Sequence, residues 1–190
     1  MAFLMRKILL TSSGFETERI IEIFHGLFDK KPAEIKALFI PTAANNPNGV
    51  GIEVLPKCMN DLVKSGISKE HIRVFDLHRN MDIDELRHYD TVYFTGGSPK
   101  YLLERINDTG FNKPLVEYIS SGGVYVGVSA GSIIATNDLP NSLKLINCTL
   151  SVHMSIGTKS GVINTDENPH IDLTDNNVIL ILGDKCEVME

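Results

Sequence analysis

The chain has 190 residues and a formal net charge of −6; 43% of its residues are hydrophobic and 22% are charged. This length and composition predict one globular domain, residues 1–190, with a full hydrophobic core. The acidic balance and the lack of a Lys/Arg cluster argue against nucleic acid as a partner, and the segment 1–7 has the features of neither a secretory signal nor a membrane span.

Strand and helix patterns alternate from the N-terminus onward. Short apolar runs, typical of buried strands, occupy residues 7–10, 35–40, 72–77, 91–94 and 124–128. Apolar residues at helical spacing lie between them, in residues 16–28, 52–64, 101–106 and 114–119. Repeated strand–helix units with continuous apolar strands predict an α/β fold, in which a doubly wound, mostly parallel sheet is covered by helices in three layers.

The pattern changes in the C-terminal part of the chain. Residues 143–152 and 178–182 are predicted strands, and residues 182–185 resemble a hairpin turn that leads into a strand at 186–189. Residues 155–172 are rich in Gly, Ser, Thr, Asn and Asp and show no helical period, so we expect them to be irregular. A C-terminal β-hairpin is therefore predicted to follow the doubly wound part.

The most informative motif is Gly-Val-Ser-Ala-Gly at residues 127–131, which follows the predicted strand 124–128 directly. G-x-S-x-G between a strand and a helix is typical of a nucleophile elbow, where a tight turn exposes the serine hydroxyl. Ser129 is therefore a candidate nucleophile, and the amide of Ala130 is a candidate donor to an oxyanion. The same spacing also occurs in turns whose serine merely caps a helix.

A serine nucleophile needs a base and an acid. Of the six histidines, His153 is favoured because it follows the apolar run at a predicted strand end, and His170 is the second choice. The acid stays open between Asp175, which precedes the strand 178–182, and Asp138, which follows the nucleophile helix. Aspartate at either position is also typical of an ordinary turn.

A second glycine motif, Gly96-Gly97, follows the predicted strand 91–94 and precedes Ser98. Adjacent glycines let the backbone approach a ligand closely. Gly97 is therefore a candidate to complete an oxyanion hole with Ala130, and Gly96 and Ser98 are candidates for substrate contact. The alternatives are an anion-binding turn and a plain tight connection.

Together these motifs resemble the peptidase E family of aspartyl dipeptidases and its cyanophycinase relatives. The resemblance extends over most of the chain and rests on residues 10–15, 39–44, 94–97, 127–131 and 136–140. It implies a class I glutamine amidotransferase-like (flavodoxin-like) fold with serine in place of cysteine. It also implies Ser129 as nucleophile, His153 as base and the Gly-Gly pair in oxyanion stabilisation.

The resemblance leaves the acid and the substrate open. Asp138 matches a family aspartate that has been treated as functional, and Asp175 falls where the family carries its triad carboxylate, usually glutamate. Ser98 stands where relatives have Asn or Asp, and Val152 where proline precedes the histidine. An aspartyl substrate needs a cation for its side chain, and three cations are near enough in sequence to be candidates: Lys100, Arg105 and Lys159.

The expected function is a cytoplasmic serine peptidase of the peptidase E type that cleaves a small peptide or amide, Asp-X dipeptides included, through a Ser-His-acid triad. No metal or cofactor, nucleic acid or membrane is expected to take part, and a homodimer is among the oligomeric states left open. The chain has three widely spaced cysteines and no C-x-x-C pair, which predicts reduced thiols. Two alternatives stay open: an esterase or amidase with the same elbow, and a catalytically silent amidotransferase-like binding module.

Overall fold

The computed structural model describes residues 5–190. Residues 1–4, part of the segment predicted to be neither signal nor membrane span, lie outside the described residues. The strands are β1 (Lys7–Thr11), β2 (Ala37–Ile40), β3 (Ile72–Val74), β4 (Thr91–Phe94), β5 (Val124–Val128), β6 (Thr149–Ser151), β7 (Gly161–Val162), β8 (His170–Asp172), β9 (Val178–Leu182) and β10 (Lys185–Met189). The α-helices are α1 (Glu18–His25), α2 (Leu55–Lys64), α3 (Ile83–Leu86), α4 (Pro99–Asp108), α5 (Asn112–Ser120) and α6 (Ala130–Ile133).

Eight of the described strands form one sheet in the order β3-β2-β4-β5-β1-β9-β10-β7. Every pairing from β3 to β1 is parallel, while β9, β10 and β7 continue the sheet in antiparallel pairings. The turn between β9 and β10 contains Gly183 at φ 61°, a conformation that glycine adopts without strain. The mostly parallel sheet and the C-terminal hairpin predicted from the sequence are confirmed.

Two hydrophobic clusters fill the faces of this sheet. Apolar side chains of α1 and α2, such as Phe24 and Leu62, pack on one face. Apolar side chains of α3 to α6, such as Leu102 and Leu115, pack on the other. Since β5 is buried along its whole length, its continuous apolar sequence is explained by helices on both sides. The helices of both clusters pack on one sheet. That residues 1–190 form a single domain stays a prediction.

The strand predicted over residues 143–152 is wrong for most of its length, because only β6 is extended. The amide of Leu145 donates to the Ala135 carbonyl over 2.8 Å, and Lys144 has φ 50°. This stretch therefore folds back onto the end of α6 and buries its apolar side chains without joining the sheet. Residues 155–172, predicted to be irregular, contain the short strands β7 and β8, which have no alternating pattern that could mark them.

Strands β6 and β8 form a separate two-stranded parallel sheet. The cysteines are free and buried: Cys58, Cys148 and Cys186. Within the described part of the chain, no helix combines the length and the apolar character needed to cross a membrane.

Candidate active site

The serine of the G-x-S-x-G motif lies at a strained corner between β5 and α6. Ser129 has φ 46° and ψ −101°, a region that residues with a side chain seldom adopt. Its amide donates to the Thr11 carbonyl over 3.0 Å, so hydrogen bonding between β5 and β1 continues up to the serine. The chain turns there, and the hydroxyl lies in a cavity at the carboxyl ends of the parallel strands.

Both glycines of the motif are required by close packing. A Cβ on Gly127 would come within 2.5 Å of the Gly131 carbonyl oxygen, and a Cβ on Gly131 would come within 2.7 Å of Phe94 Cβ. A larger residue at either position would push α6 away from the sheet. The spacing of the motif is thus a steric requirement of the elbow.

The buried Ser132 ties the elbow to β1. Its Oγ accepts the Thr11 amide over 3.0 Å and lies 2.7 Å from the Thr11 carbonyl oxygen and 2.8 Å from the Gly127 carbonyl oxygen. The Tyr125 hydroxyl adds a second tie, donating to the Gly131 carbonyl over 2.6 Å. These bonds link β1, β5 and α6 and hold the turn in place.

The small β6–β8 sheet joins two segments that are far apart in the chain. Its strands are parallel, with Ser151 opposite Asp172, so both leave the sheet at the same edge. His153 follows β6 and Asp175 follows β8. The amide of Leu173 donates to the Ser151 carbonyl over 2.8 Å, which extends the pairing toward the site. The imidazole and the carboxylate are therefore delivered side by side.

Three of the predicted catalytic side chains form one hydrogen-bonded series. His153 Nε2 lies 3.2 Å from Ser129 Oγ, and His153 Nδ1 lies 3.0 Å from Asp175 Oδ1. The His153 and Asp175 side chains are 52% and 49% exposed, so a substrate can reach them. Each ring nitrogen has its own partner, which is the geometry that an imidazole base oriented by a carboxylate requires.

The charge on Asp175 selects the tautomer of His153. Burial raises the pKa of Asp175, but hydrogen bonds from Ser12 and His153 outweigh burial and leave this pKa below its ordinary value. Asp175 is thus an anion at neutral pH and can only accept hydrogen bonds. Its contact with Nδ1 places the imidazole proton there, and Nε2 is left to accept from the Ser129 hydroxyl.

A fourth side chain, Ser12, contacts both His153 and Asp175. Its hydroxyl donates to Asp175 Oδ1 over 2.7 Å, accepts the backbone amide of His153 over 2.7 Å and lies 3.2 Å from His153 Nδ1. Ser12 is 1% exposed, and it follows β1 at the sheet edge where ligands bind in open parallel sheets. Sequence reasoning misses it because a serine after a strand is also an ordinary turn residue.

The other candidate acid, Asp138, serves a different contact. Its Oδ2 accepts from the Leu150 amide over 2.9 Å and from the Thr136 hydroxyl. Leu150 is the middle residue of β6, so Asp138 anchors the strand that precedes His153. The structure brings Asp175, and not Asp138, into hydrogen-bonding distance of the imidazole.

The second-choice base, His170, lies on β8. Its ring contacts the hydroxyls of Thr149 and Ser151 across the small sheet, at 2.8 and 3.0 Å. The histidine that the structure brings to Ser129 is His153.

Gly96 and Gly97 line the same cavity as Ser129. Gly97 has φ 130°, and a Cβ there would collide with the Ala43 carbonyl, so only glycine fits. A Cβ on Gly96 would lie 3.5 Å from Ser129 Cβ, which places this backbone directly beside Ser129. Among the described residues, the Gly97 amide donates to no other protein group, so it is available to a ligand.

Ala130 and Ser98 are the two remaining residues of the predicted site. Ala130 is the first residue of α6, and the first amides of a helix have no partner within it. Ser98 accepts the Tyr101 amide over 3.3 Å and caps α4, and it does not line the cavity. Substrate contact by Gly96 and Ser98 stays a prediction, as do the oxyanion roles of Gly97 and Ala130.

The cavity beside the elbow has a volume of about 200 Å³. Val54, Cys58 and Val128 give it apolar walls, and Lys57 and Glu53 are its charged residues. Burial raises the pKa of the Cys58 thiol, so this second potential nucleophile stays protonated at neutral pH. The surface also has hollows of about 350 and 520 Å³, and no residue that lines the cavity beside Ser129 lines either of them.

The model of Peptidase family S51 matches residues 8–146, which is well over half of the chain. This chain belongs to peptidase family S51. The matched segment includes Ser129 and ends before His153. The family membership confirms the predicted relationship to peptidase E and the serine peptidase class.

Two curated relatives are similar along much of this chain. Uncharacterized peptidase Lmo0363 of Listeria monocytogenes serovar 1/2a is 25% identical over 171 residues, covering 90% of this chain and 80% of that protein. Peptidase E of Shewanella denitrificans is 28% identical over 134 residues, covering 63% of this chain and 54% of that protein. The chain thus spans about half the length of the Shewanella relative.

Solved structures show the same fold. The crystal structure of a Listeria monocytogenes EGD-e protein assigned to peptidase E superposes with a TM-score of 0.76 at 20% identity, covering 98% of both chains. A peptidase from an acI-B1 Actinobacterium superposes with a TM-score of 0.69 at 18% identity, covering 100% of this chain and 89% of that one. The fold is therefore retained at low sequence identity.

The cations suggested from the sequence do not line the cavity of this S51 peptidase. Lys100 is exposed on α4, Arg105 donates to the Leu77 carbonyl over 2.9 Å, and Lys159 is exposed in the loop before β7. The cavity is lined by Lys57 of α2. Lys57 is missed because it is remote in sequence from every glycine motif, and only the packing of α2 on the sheet brings it to the site.

Proposed function

We propose that this S51 peptidase hydrolyses a small peptide or amide through a triad of Ser129, His153 and Asp175. The observation that carries the proposal is the continuous series of contacts, 3.2 Å from Ser129 Oγ to Nε2 and 3.0 Å from Nδ1 to the Asp175 carboxylate. These separations are those expected of a nucleophile, its base and an orienting acid before substrate binds.

In the proposed reaction, Ser129 Oγ attacks the scissile carbonyl carbon while Nε2 of His153 takes the hydroxyl proton. The amides of Gly97 and Ala130 donate to the oxyanion of the tetrahedral intermediate. The intermediate collapses when the imidazolium returns the proton to the leaving amine, and an acyl-serine forms. A water molecule, deprotonated by the same imidazole, then releases the acid and restores Ser129.

Asp175 and Ser12 have positioning roles in this proposal. The ionised carboxylate stabilises the imidazolium that forms during each proton transfer. The Ser12 hydroxyl fixes that carboxylate and, by accepting the His153 amide, the backbone that carries the base. Because Ser12 is buried, it acts through His153 and Asp175 and does not itself react.

The test begins with covalent labelling by a fluorophosphonate, which reacts with an activated serine. We expect labelling of the wild-type protein at Ser129 and none in S129A. Retention of peptide hydrolysis by S129A rules out the triad. An unlabelled wild-type serine favours the silent binding module, and hydrolysis of simple esters without that of peptides favours an esterase.

A matched pair of variants tests which carboxylate is used. D175N removes the charge that faces the imidazole and is expected to lower kcat by about 10²–10⁴-fold. D138N keeps an oxygen that can accept the Leu150 amide, so we expect kcat within about threefold of wild type. The measurement is kcat on one peptide substrate with folding checked by circular dichroism, and the reverse ranking would assign the role to Asp138.

A further inference from the structure

The volume and the lining of the cavity beside Ser129 limit which substrate side chain it can receive. Its volume of about 200 Å³ is below the range typical of sites for drug-sized ligands. Its walls are apolar or glycine, apart from serines, the His153 imidazole and the two charged residues Lys57 and Glu53. The cavity thus suits one short side chain next to the scissile bond.

The ammonium of Lys57 is held by protein groups on three sides. Its Nζ lies 2.6 Å from the Ser13 carbonyl oxygen, 3.1 Å from Asp61 Oδ2 and 2.9 Å from Glu16 Oε1. A lysine ammonium has three N–H donors; two of them are hydrogen-bonded to Ser13 and Asp61, and Glu16 forms an ion pair with the same ammonium. The cation that lines the cavity is therefore committed to the protein.

Acidic residues outnumber basic ones among the residues that line the cavity or contact Lys57. Burial lowers the pKa of Lys57, but hydrogen bonds and attraction from Glu16 and Asp61 outweigh burial and raise it above its ordinary value. Lys57 therefore stays a cation with two carboxylates in contact, and Glu53 adds a third acidic group to the lining. A carboxylate entering the cavity would meet more negative than positive charge.

We propose that this cavity receives a short, uncharged side chain on the acyl side of the scissile bond and discriminates against a carboxylate there. The inference rests on the proposed function, because it concerns the group next to the carbonyl that Ser129 attacks. Glu16 is the residue assigned to specificity, since it is one of the carboxylates that neutralise Lys57. An aspartyl substrate is thereby disfavoured relative to an asparaginyl one of the same shape.

Two diphenyl aminoalkylphosphonates that differ only in the side chain test this proposal. One carries the carboxymethyl group of aspartate and the other the carbamoylmethyl group of asparagine. In each, Ser129 Oγ attacks phosphorus, phenoxide leaves and the hydroxyl proton passes to His153. We expect the second-order rate constant of inactivation to be about tenfold larger for the asparagine analogue.

The outcomes separate this inference from the proposed function. If a fluorophosphonate does not label Ser129, both fail. If it does, then equal or faster inactivation by the aspartate analogue overturns the inference alone. Failure of both analogues to react with a labelled serine also overturns it, because the cavity would then not take a short side chain beside the reacting atom.

The variant E16Q identifies the residue responsible. Removal of the Glu16 charge leaves a Lys57 N–H less firmly held, so the asparagine-to-aspartate ratio of rate constants should fall by about threefold. The matched control is E18Q, which alters an exposed glutamate in the first turn of α1 and should leave the ratio unchanged. An unchanged ratio in E16Q contradicts the assignment of Glu16.

Discussion

At the scale of single residues, the backbone of Ser129 stores strain. Ser129 has φ 46° and ψ −101°, and such a conformation costs a residue with a Cβ about 1–3 kcal/mol. The ladder bond to Thr11 and the packing of both flanking glycines impose this conformation. The exposed hydroxyl is thus obtained at the expense of stability, as is common where a side chain must face a ligand.

This strain predicts a difference in stability between two variants of Ser129. S129A keeps the Cβ and the strain, whereas S129G removes both, so S129G should be more stable than S129A by roughly 1 kcal/mol. The measurement is the free energy of unfolding in urea for each variant. Glycine normally destabilises a folded chain, so the opposite order would mean that the elbow is not strained.

At the scale of elements, the turn depends on one buried hydroxyl between β1, β5 and α6. Ser132 is fully buried, and its Oγ is the acceptor for the Thr11 amide. If this hydroxyl is removed, a buried N–H has no partner, which costs more than the loss of an average hydrogen bond. The short helix α6 has few other contacts of this kind to hold it on the sheet.

We therefore predict that S132A lowers the free energy of unfolding by about 1–3 kcal/mol and slows fluorophosphonate labelling of Ser129. The control is S65A, at another buried serine. Its hydroxyl donates to the Leu62 carbonyl, which also accepts the Ile67 amide, so no buried group is left unsatisfied. Similar losses in the two variants would show that Ser132 has no special role in the elbow.

At the scale of the whole molecule, the site joins the two ends of the chain. Ser12 follows β1 and Asp175 follows β8, yet the hydroxyl and the carboxylate are 2.7 Å apart. The main sheet supplies Ser12 and Ser129, and the small β6–β8 sheet supplies His153 and Asp175. Packing of the small sheet against the main sheet is therefore what assembles the site.

The contacts of Asp175 at this site make the stability of the folded protein depend on pH. The pKa of Asp175 is lower in the folded protein than its ordinary value, which is about 3.9 in an unfolded chain. Its ionised form therefore stabilises the fold fully above about pH 4, and this contribution is lost as the pH falls through the folded pKa. We expect D175N to be less stable than wild type at neutral pH, and the difference to disappear in acid.

The variant S12A tests the contribution of the Ser12 hydroxyl. Because its hydrogen bond lowers the pKa of Asp175, S12A should raise that pKa toward the ordinary value, as measured by NMR titration of the carboxyl carbon. The control S13A alters a neighbouring serine that uses only its carbonyl in the contact with Lys57. An unshifted pKa in S12A would exclude Ser12 as a positioning residue.

Features that depend on a few consecutive residues are predictable from the sequence. The apolar runs of the parallel strands, the hairpin after Leu182 and the G-x-S-x-G elbow are each specified locally. The run of residues 143–152 was misread because its apolar side chains are buried by folding back on α6, and apolar residues alone cannot tell this from a strand.

The groups that meet at the elbow are brought together by long-range packing. The parallel pairing of β6 with β8 delivers Asp175 to His153 and leaves Asp138 to anchor a strand. The end of β1 brings Ser12 into contact with His153 and Asp175. The packing of α2 on the sheet places Lys57, whose charge is neutralised by carboxylates, in the cavity. The physical reason is that these contacts join residues far apart along the chain, so no local pattern of sequence encodes them.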